Sequence, residues 1–225
     1  MQKEKWKNRW ARWLKLRFLV LYPFGVWAVV SRHSTDESIM KSIWFILLGL
    51  GMRTWANCYA IKMERLTTCG PYAYVRHPLY LGSFLIMIGF LVMLNIPWIG
   101  VLLFVLIVIG VIYKTTIKNE EKMLLDKFGF EYIEYKKAVP AFLPKVLPFK
   151  GSQKWAPSIS RYFKSQEYKL VIWMIVLMIA FHLKEEFIVE HERFDAKIIT
   201  LLITAFLLGV LDILGEVVRK KTIRH

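Results

Sequence analysis

Six apolar runs, each closed by charged or turn-forming residues, divide the chain. They cover about Leu16–Val30, Ile39–Ile61, Leu79–Leu94, Pro97–Ile117, Leu170–Leu183 and Ile198–Val218. A helix that crosses a bilayer needs about 20 mostly apolar residues. All six runs come near that length, the first and fifth being the short ones. The pattern predicts an all-α, polytopic membrane protein with about six transmembrane helices.

Turn and breaker residues refine this outline. The third and fourth runs are joined by Asn95-Ile96-Pro97, which predicts a helical hairpin with Pro97 in the first turn of its second arm. That arm is expected to run on through Lys118–Gly129, with Gly129 as its stop. Beyond it, Phe130, Tyr132, Ile133, Tyr135 and Val139 suit a short helix lying on the bilayer surface, ended by Pro140 and Pro144. From Lys145 the composition shifts to Pro, Ser, Gly and Lys. This divides the chain into a core with a basic N-terminal interfacial arm (1–144), a linker (145–168) and a two-helix membrane appendage (169–225).

Charge orients the helices. The 225 residues are 56% hydrophobic, yet the net charge is +15, and the mean hydropathy is +0.40. So apolar and basic a chain reads as a membrane protein with cationic ends. Nucleic-acid binding is set aside, because the basic residues lie between apolar runs and form no nucleic-acid module. With the N-terminus cytoplasmic, six spans place Lys62–His77, Lys118–Lys169 and Arg219–Arg224 on the same side, and all three are basic. The opposite side receives the acidic stretch Lys184–Asp195. Both termini are therefore expected to be cytoplasmic. The N-terminal arm has no small-residue cleavage site and reads as a retained interfacial helix. Cys58 and Cys69 have no metal-ligand spacing, no histidine pair stands at i and i+4, and no metal is expected.

Two polar clusters stand out. In Val75-Arg76-His77-Pro78-Leu79-Tyr80, Pro78 suits the first position of a helix. His77 then sits where unpaired backbone N–H groups favour anions, and Arg76 adds a donor fork suited to carboxylates. Tyr72, Tyr74 and Tyr80 supply flat faces and hydroxyls. The cluster suits a ligand with a carboxylate and a ring, and equally a belt facing lipid headgroups. The second cluster is Glu120-Glu121, just past the fourth run. Adjacent carboxylates on a helix point about 100° apart, so one can face Arg76 and His77 while the other meets solvent or a lysine. The hairpin brings both clusters to one end. Arg53, within an apolar run, either faces protein or snorkels. Gly49-Leu50-Gly51 follows no strand, so it reads as helix packing through small residues.

In order, Gly51–Ala56, Gly70–Gly82, Glu120–Val139 and Phe142-Leu143-Pro144 resemble the isoprenylcysteine carboxyl methyltransferase and phospholipid methyltransferase superfamily, over about residues 45–144. The resemblance implies an integral-membrane enzyme that uses S-adenosylmethionine in a cytoplasmic-facing pocket. Tyr74, Val75, Arg76, His77, Pro78, Tyr80, Leu81 and Gly82 would line the cofactor site, and Glu120 and Glu121 would complete it. Arg76, His77 and Glu121 would serve catalysis. The acceptor would be a lipophilic molecule entering from the bilayer, with membrane lipids as surroundings: an isoprenylcysteine-like carboxylate or a phospholipid-like amine. Two departures qualify the resemblance. Ala141 stands where an arginine is common, and Ala73 where a larger polar or basic residue is. A nicotinamide-dependent membrane reductase and a non-enzymatic protein of the same fold are the alternatives.

Overall fold

The structure, a computed structural model, describes residues 32–61, 64–151, 155–186 and 196–223. The expected first span at Leu16–Val30, the N-terminal arm and most of the acidic stretch before Ala196 lie outside these residues. Among the described residues there are seven α-helices and no strand: α1 (Asp36–Tyr59), α2 (Pro78–Met93), α3 (Trp98–Ile107), α4 (Lys114–Ala138), α5 (Ile159–Ser165), α6 (Glu167–Lys184) and α7 (Ala196–Ile223). A 3-10 turn (Gly70–Ala73) precedes α2, and a π-helical stretch (Val108–Tyr113) joins α3 to α4.

The start of α1 follows from its cap. The Thr35 hydroxyl accepts from the Ser38 amide at 3.2 Å, and the Thr35 amide donates to the Ser38 hydroxyl at 2.9 Å. This reciprocal pair satisfies two amides at a helix end, and Asp36 and Glu37 add favourable charge in the first turn. Helix α1 then packs along α2 through glycines. A Cβ on Gly49 would lie 2.6 Å from the Gly82 carbonyl oxygen, and one on Gly89 would lie 2.7 Å from Ile46 Cγ1. Such residues let two backbones approach closely. Gly51, the other glycine of that run, has nothing within 4 Å. At the far end, the buried Ser38 hydroxyl donates to the Met93 carbonyl at 2.8 Å, pinning the start of α1 to the end of α2.

Pro78 opens α2 as expected, with His77 as its cap residue. The turn at Asn95 is tight: its φ is +49°, and Ile96 donates to the Leu91 carbonyl. The fourth run is less regular than expected. It is α-helical over Trp98–Ile107, π-helical over Val108–Tyr113, and α-helical again from Lys114. Gly129 breaks α4 with φ +53° and ψ −122°. The helix after this break is not laid flat by a single apolar face. Tyr132, Tyr135 and Val139 are buried with Leu66, while Phe130 and Ile133 point outward. Inward positions spaced by three and four residues form one stripe, which the two outward residues do not share.

The stretch between the core and the last two helices is packed onto α1. Ser158 N–H and Arg161 both donate to the Cys58 carbonyl, and Trp155 Nε1 donates to the Tyr59 carbonyl at 3.1 Å. These donors satisfy carbonyls that the last turn of a helix leaves open. Gln166, in the left-handed region at φ +61°, then turns α5 into α6 with a 65° bend. Helix α6 returns along α1 and α2, where Met174 is buried with Ile46 and Ile86, and Phe181 with Met93 and Leu94.

Among the described residues no single helix is long and apolar enough to cross a membrane, and the bent pair α5–α6 meets that length and composition jointly. The outer faces are nonetheless apolar. Trp44, Leu47 and Leu48 on α1, Trp98, Ile99, Leu102 and Leu106 on α3, and Ile203, Phe206 and Leu207 on α7 are all exposed.

Candidate functional site

The site is assembled at the start of α2 by three segments that are distant in sequence. The 3-10 turn and the cap residue His77 bring in one side, α4 crosses it, and the chain after Val139 wraps beneath. That last segment is held by backbone bonds: Arg76 N–H donates to the Pro140 carbonyl at 2.9 Å, His77 N–H to the Ala141 carbonyl at 3.2 Å, Lys145 N–H to Tyr74 and Phe149 N–H to Ala73. At Ala141 it is thus the backbone carbonyl that meets the motif.

The two clusters read from the sequence converge. Arg76 Nη2 lies 2.8 Å from Glu121 Oε1, and His77 stands between the paired carboxylates, with Nδ1 3.6 Å from Glu120 Oε2 and Nε2 3.6 Å from Glu121 Oε1. The carboxylates divide the work as their 100° separation requires. The Glu121 side chain is 11% exposed, while that of Glu120 is 45% exposed. Lys136 closes the far side, with Nζ 2.8 Å from Glu121 Oε2, and its carbonyl accepts from Arg76 Nη1 at 3.1 Å. Burial alone pushes the Glu121 carboxyl up. His77, Lys136 and Arg76 outweigh it and hold the group at about 2. Arg76 is therefore committed to Glu121, and the carboxylate open to a ligand is Glu120.

The other expected residues fall in three places. Tyr80 lies by the cluster, its ring 5.6 Å from the His77 imidazole. Tyr74 and Val75 line an open apolar recess with Met52, Trp55, Pro71 and Pro144. Pro78, Leu81 and Gly82 are buried in the helix, and Gly82 faces α1, where an added Cβ would meet Arg53 Cγ at 2.6 Å.

Lys136 and Tyr132 belong to the cluster although neither was named for it from the sequence. Tyr132 is 1% exposed. Burial, then the nearby Glu121, pushes its hydroxyl well above the ordinary tyrosine range. Their signal was the stripe Tyr132, Tyr135, Val139. It turns this helix inward and carries Lys136 with it. Tyr135 fixes the stripe by donating its hydroxyl to the Tyr72 carbonyl at 2.6 Å.

This donor set suits an amino-acid-bearing ligand. His77 Nε2, Glu120 Oε2 and the Tyr132 hydroxyl are buried polar atoms without a hydrogen-bond partner. Such atoms are costly unless something satisfies them. Glu120 Oε2, on the Nδ1 side of the His77 ring, can accept from an ammonium.

The fold and site define a helical protein built around a His–Glu–Glu cluster. Residues 38–126, which carry that cluster, match the model of the isoprenylcysteine carboxyl methyltransferase (ICMT) family. Over 163 residues the chain is 29% identical to the cobalt-zinc-cadmium resistance protein CzcN of Cupriavidus metallidurans, a match covering 64% of this chain and 74% of that protein. It is 42% identical over 87 residues to the protein-S-isoprenylcysteine O-methyltransferase of Mus musculus, covering 35% of this chain and 27% of that enzyme. The corresponding enzyme of Schizosaccharomyces pombe is 40% identical over 85 residues, or 38% of this chain and 35% of that enzyme. The similarity to these methyltransferases thus spans only 27% to 35% of their length. No solved structure matches the chain. Among the described residues no group of three or more His, Cys, Asp or Glu is placed to hold a metal ion.

Proposed function

We propose that the protein is an integral-membrane methyltransferase that takes its methyl group from S-adenosylmethionine and delivers it to a lipophilic acceptor. The observation that carries this reading is the convergence of Arg76, His77, Glu120 and Glu121 at the start of α2, within the family-matched segment. When bound, the cofactor supplies an electrophilic methyl group on a sulfonium.

The residues then divide by role. Glu120, half-exposed and beside His77, accepts from the cofactor's ammonium. Glu121 is held ionised by Arg76 and Lys136 and faces the imidazole of His77 from the other side. The start of α2 turns its positive dipole end toward the cofactor's carboxylate, a task that Arg76, paired with Glu121, does not share. Methyl transfer is an in-line displacement, which asks for positioning and exclusion of water. A carboxylate acceptor is already ionised at neutral pH and needs no base, whereas an amine acceptor would pass its proton to His77. The apolar recess at Tyr74 and Val75, adjacent in the chain to Arg76, supports an acceptor with a hydrocarbon chain.

The membrane reading rests on the exposed apolar faces of α1, α3 and α7. Six spans with both termini cytoplasmic is the topology that fits the basic segments. Helix α2, at 16 residues, is about 24 Å long, short of a hydrocarbon core of about 30 Å. Local thinning of the bilayer near the site accommodates it.

The test is calorimetric titration of the detergent-solubilised protein with S-adenosylhomocysteine, followed by incubation with labelled methyl donor and mass spectrometry of lipid extracts. Saturable binding and a labelled lipid support the assignment. A folded protein that binds neither the donor nor its product sinks it.

A further inference from the structure

Arg53 is the side chain that joins the last helices to the site. It forms a two-pronged ion pair with Glu167, Nη2 to Oε1 at 2.7 Å and Nε to Oε2 at 3.0 Å, with both side chains less than one-fifth exposed. Its remaining nitrogen, Nη1, donates to the Leu79 carbonyl at 3.2 Å and to the Ser83 hydroxyl at 2.5 Å. Leu79 and Ser83 are on the first turns of α2, and Leu79 is two residues past His77. The stem of Arg53 crosses Gly82, where a Cβ would come within 2.6 Å of Cγ.

Glu167 comes from outside the family-matched segment. It opens α6 immediately after the left-handed Gln166. Its position there is fixed independently, because Trp155, Ser158 and Arg161 clamp the preceding stretch onto the end of α1. A planar guanidinium bound at two nitrogens has its third direction set by geometry. Holding Arg53 from the Glu167 side therefore aims Nη1 at the first turn of α2. Without Glu167, Arg53 would be a buried cation lacking its counter-charge, and it would swing toward water and release Leu79 and Ser83.

We infer that Glu167 is a positioning residue. Through Arg53 it sets the first turn of α2 and hence the placement of His77, and this gives the chain beyond residue 145 a part in the site. The inference rests on the reading of that site as a cofactor pocket, but one of its consequences does not.

The experiment compares wild type, Glu167→Gln and Met174→Ala in detergent. Met174 packs α6 on Ile46 and Ile86, so its truncation loosens the same helix without touching Arg53. Two quantities are read: amide hydrogen exchange in peptides spanning 79–84, and affinity for S-adenosylhomocysteine. Glu167→Gln is expected to speed exchange at 79–84 by tenfold or more and to weaken binding about tenfold. Met174→Ala is expected to lower the melting temperature with neither change. Equal exchange and affinity in Glu167→Gln and wild type overturn the inference, and so do matching losses in both variants. Faster exchange at 79–84 in Glu167→Gln, with no binding by wild type, upholds the positioning link and removes the cofactor reading instead.

Discussion

Arg76 and Glu121 form a buried ion pair 2.8 Å apart, with side chains only 9% and 11% exposed, and the pair joins the residue before the cap of α2 to the first half of α4. Removing the charge by Glu121→Gln leaves Arg76 buried without its counter-ion. Breaking such a pair costs about 3–5 kcal/mol. The expected outcome is a melting temperature lowered by several degrees and cofactor affinity lowered at least tenfold. Both are read by thermal unfolding with and without S-adenosylhomocysteine. Wild-type stability in this variant would show that Arg76 finds another partner.

The same group sets an acid limit. Glu121 has a folded value near 2, below its ordinary 4.5. A carboxyl depressed in this way stabilises the fold fully above about pH 4.5, and that contribution fades as the pH falls toward 2. It amounts to at most about 3 kcal/mol, less what solvent screening removes at the half-exposed Lys136 end. The gap in melting temperature between wild type and Glu121→Gln should be widest near neutral pH and should narrow steadily in acid. A gap that grows on acidification contradicts the assignment.

Glu120 separates binding from stability. Its side chain is nearly half-exposed, and its Oε2 lies 3.6 Å from His77 Nδ1. Removal of a half-exposed carboxylate costs within about 0.5 kcal/mol. Glu120→Ala should therefore unfold like wild type while binding the cofactor at least tenfold more weakly. Unchanged calorimetric affinity would transfer the ammonium contact away from this residue.

Gly129 is the hinge of α4, with φ +53° and ψ −122°. No atom lies within 4 Å of where its Cβ would be, so the cost of Gly129→Ala comes from the backbone alone. That region is almost exclusive to glycine, and strain there costs about 1–3 kcal/mol. Straightening the helix would also rotate Tyr132, Tyr135 and Lys136 away from the site. Circular dichroism melts and the rate of methyl transfer should fall together in this variant. A variant that loses neither would show that the break is dispensable.

What the sequence revealed depended on local signals. Pro78, Asn95 and Gly129 each act through their own backbone, so the start of α2, the turn after it and the break in α4 were legible. The meeting of Glu120 and Glu121 with His77 followed from hairpin direction and helical phase. Lys136 was not legible, because its role depends on a tertiary choice: the stripe Tyr132, Tyr135, Val139 turns toward Leu66 and not toward lipid. Arg53 could be read only as buried or snorkelling, since its partner Glu167 lies 114 positions away. The commitment of Arg76 to Glu121 was equally invisible, because residue type alone cannot say which carboxylate an arginine takes.

The glycines of the α1–α2 crossing allow a last discrimination. An alanine Cβ at Gly82 would lie 2.6 Å from Arg53 Cγ and 2.8 Å from the Gly49 carbonyl oxygen. At Gly89 it would lie 2.7 Å from Ile46 Cγ1 and 3.2 Å from the Ser42 carbonyl oxygen. Both substitutions overpack one helix pair, which costs about 1–3 kcal/mol, so both should lower the melting temperature. They differ in what they push. Gly89→Ala displaces an apolar side chain far from the cluster, toward the Asn95 turn. Gly82→Ala displaces the stem of Arg53, whose guanidinium holds Leu79 and Ser83 on the first turns of α2. Gly82→Ala should therefore also weaken cofactor binding severalfold, while Gly89→Ala leaves the affinity of its folded fraction unchanged. Equal affinity losses in the two variants would mean that helix spacing, and not the aim of Arg53, governs the site.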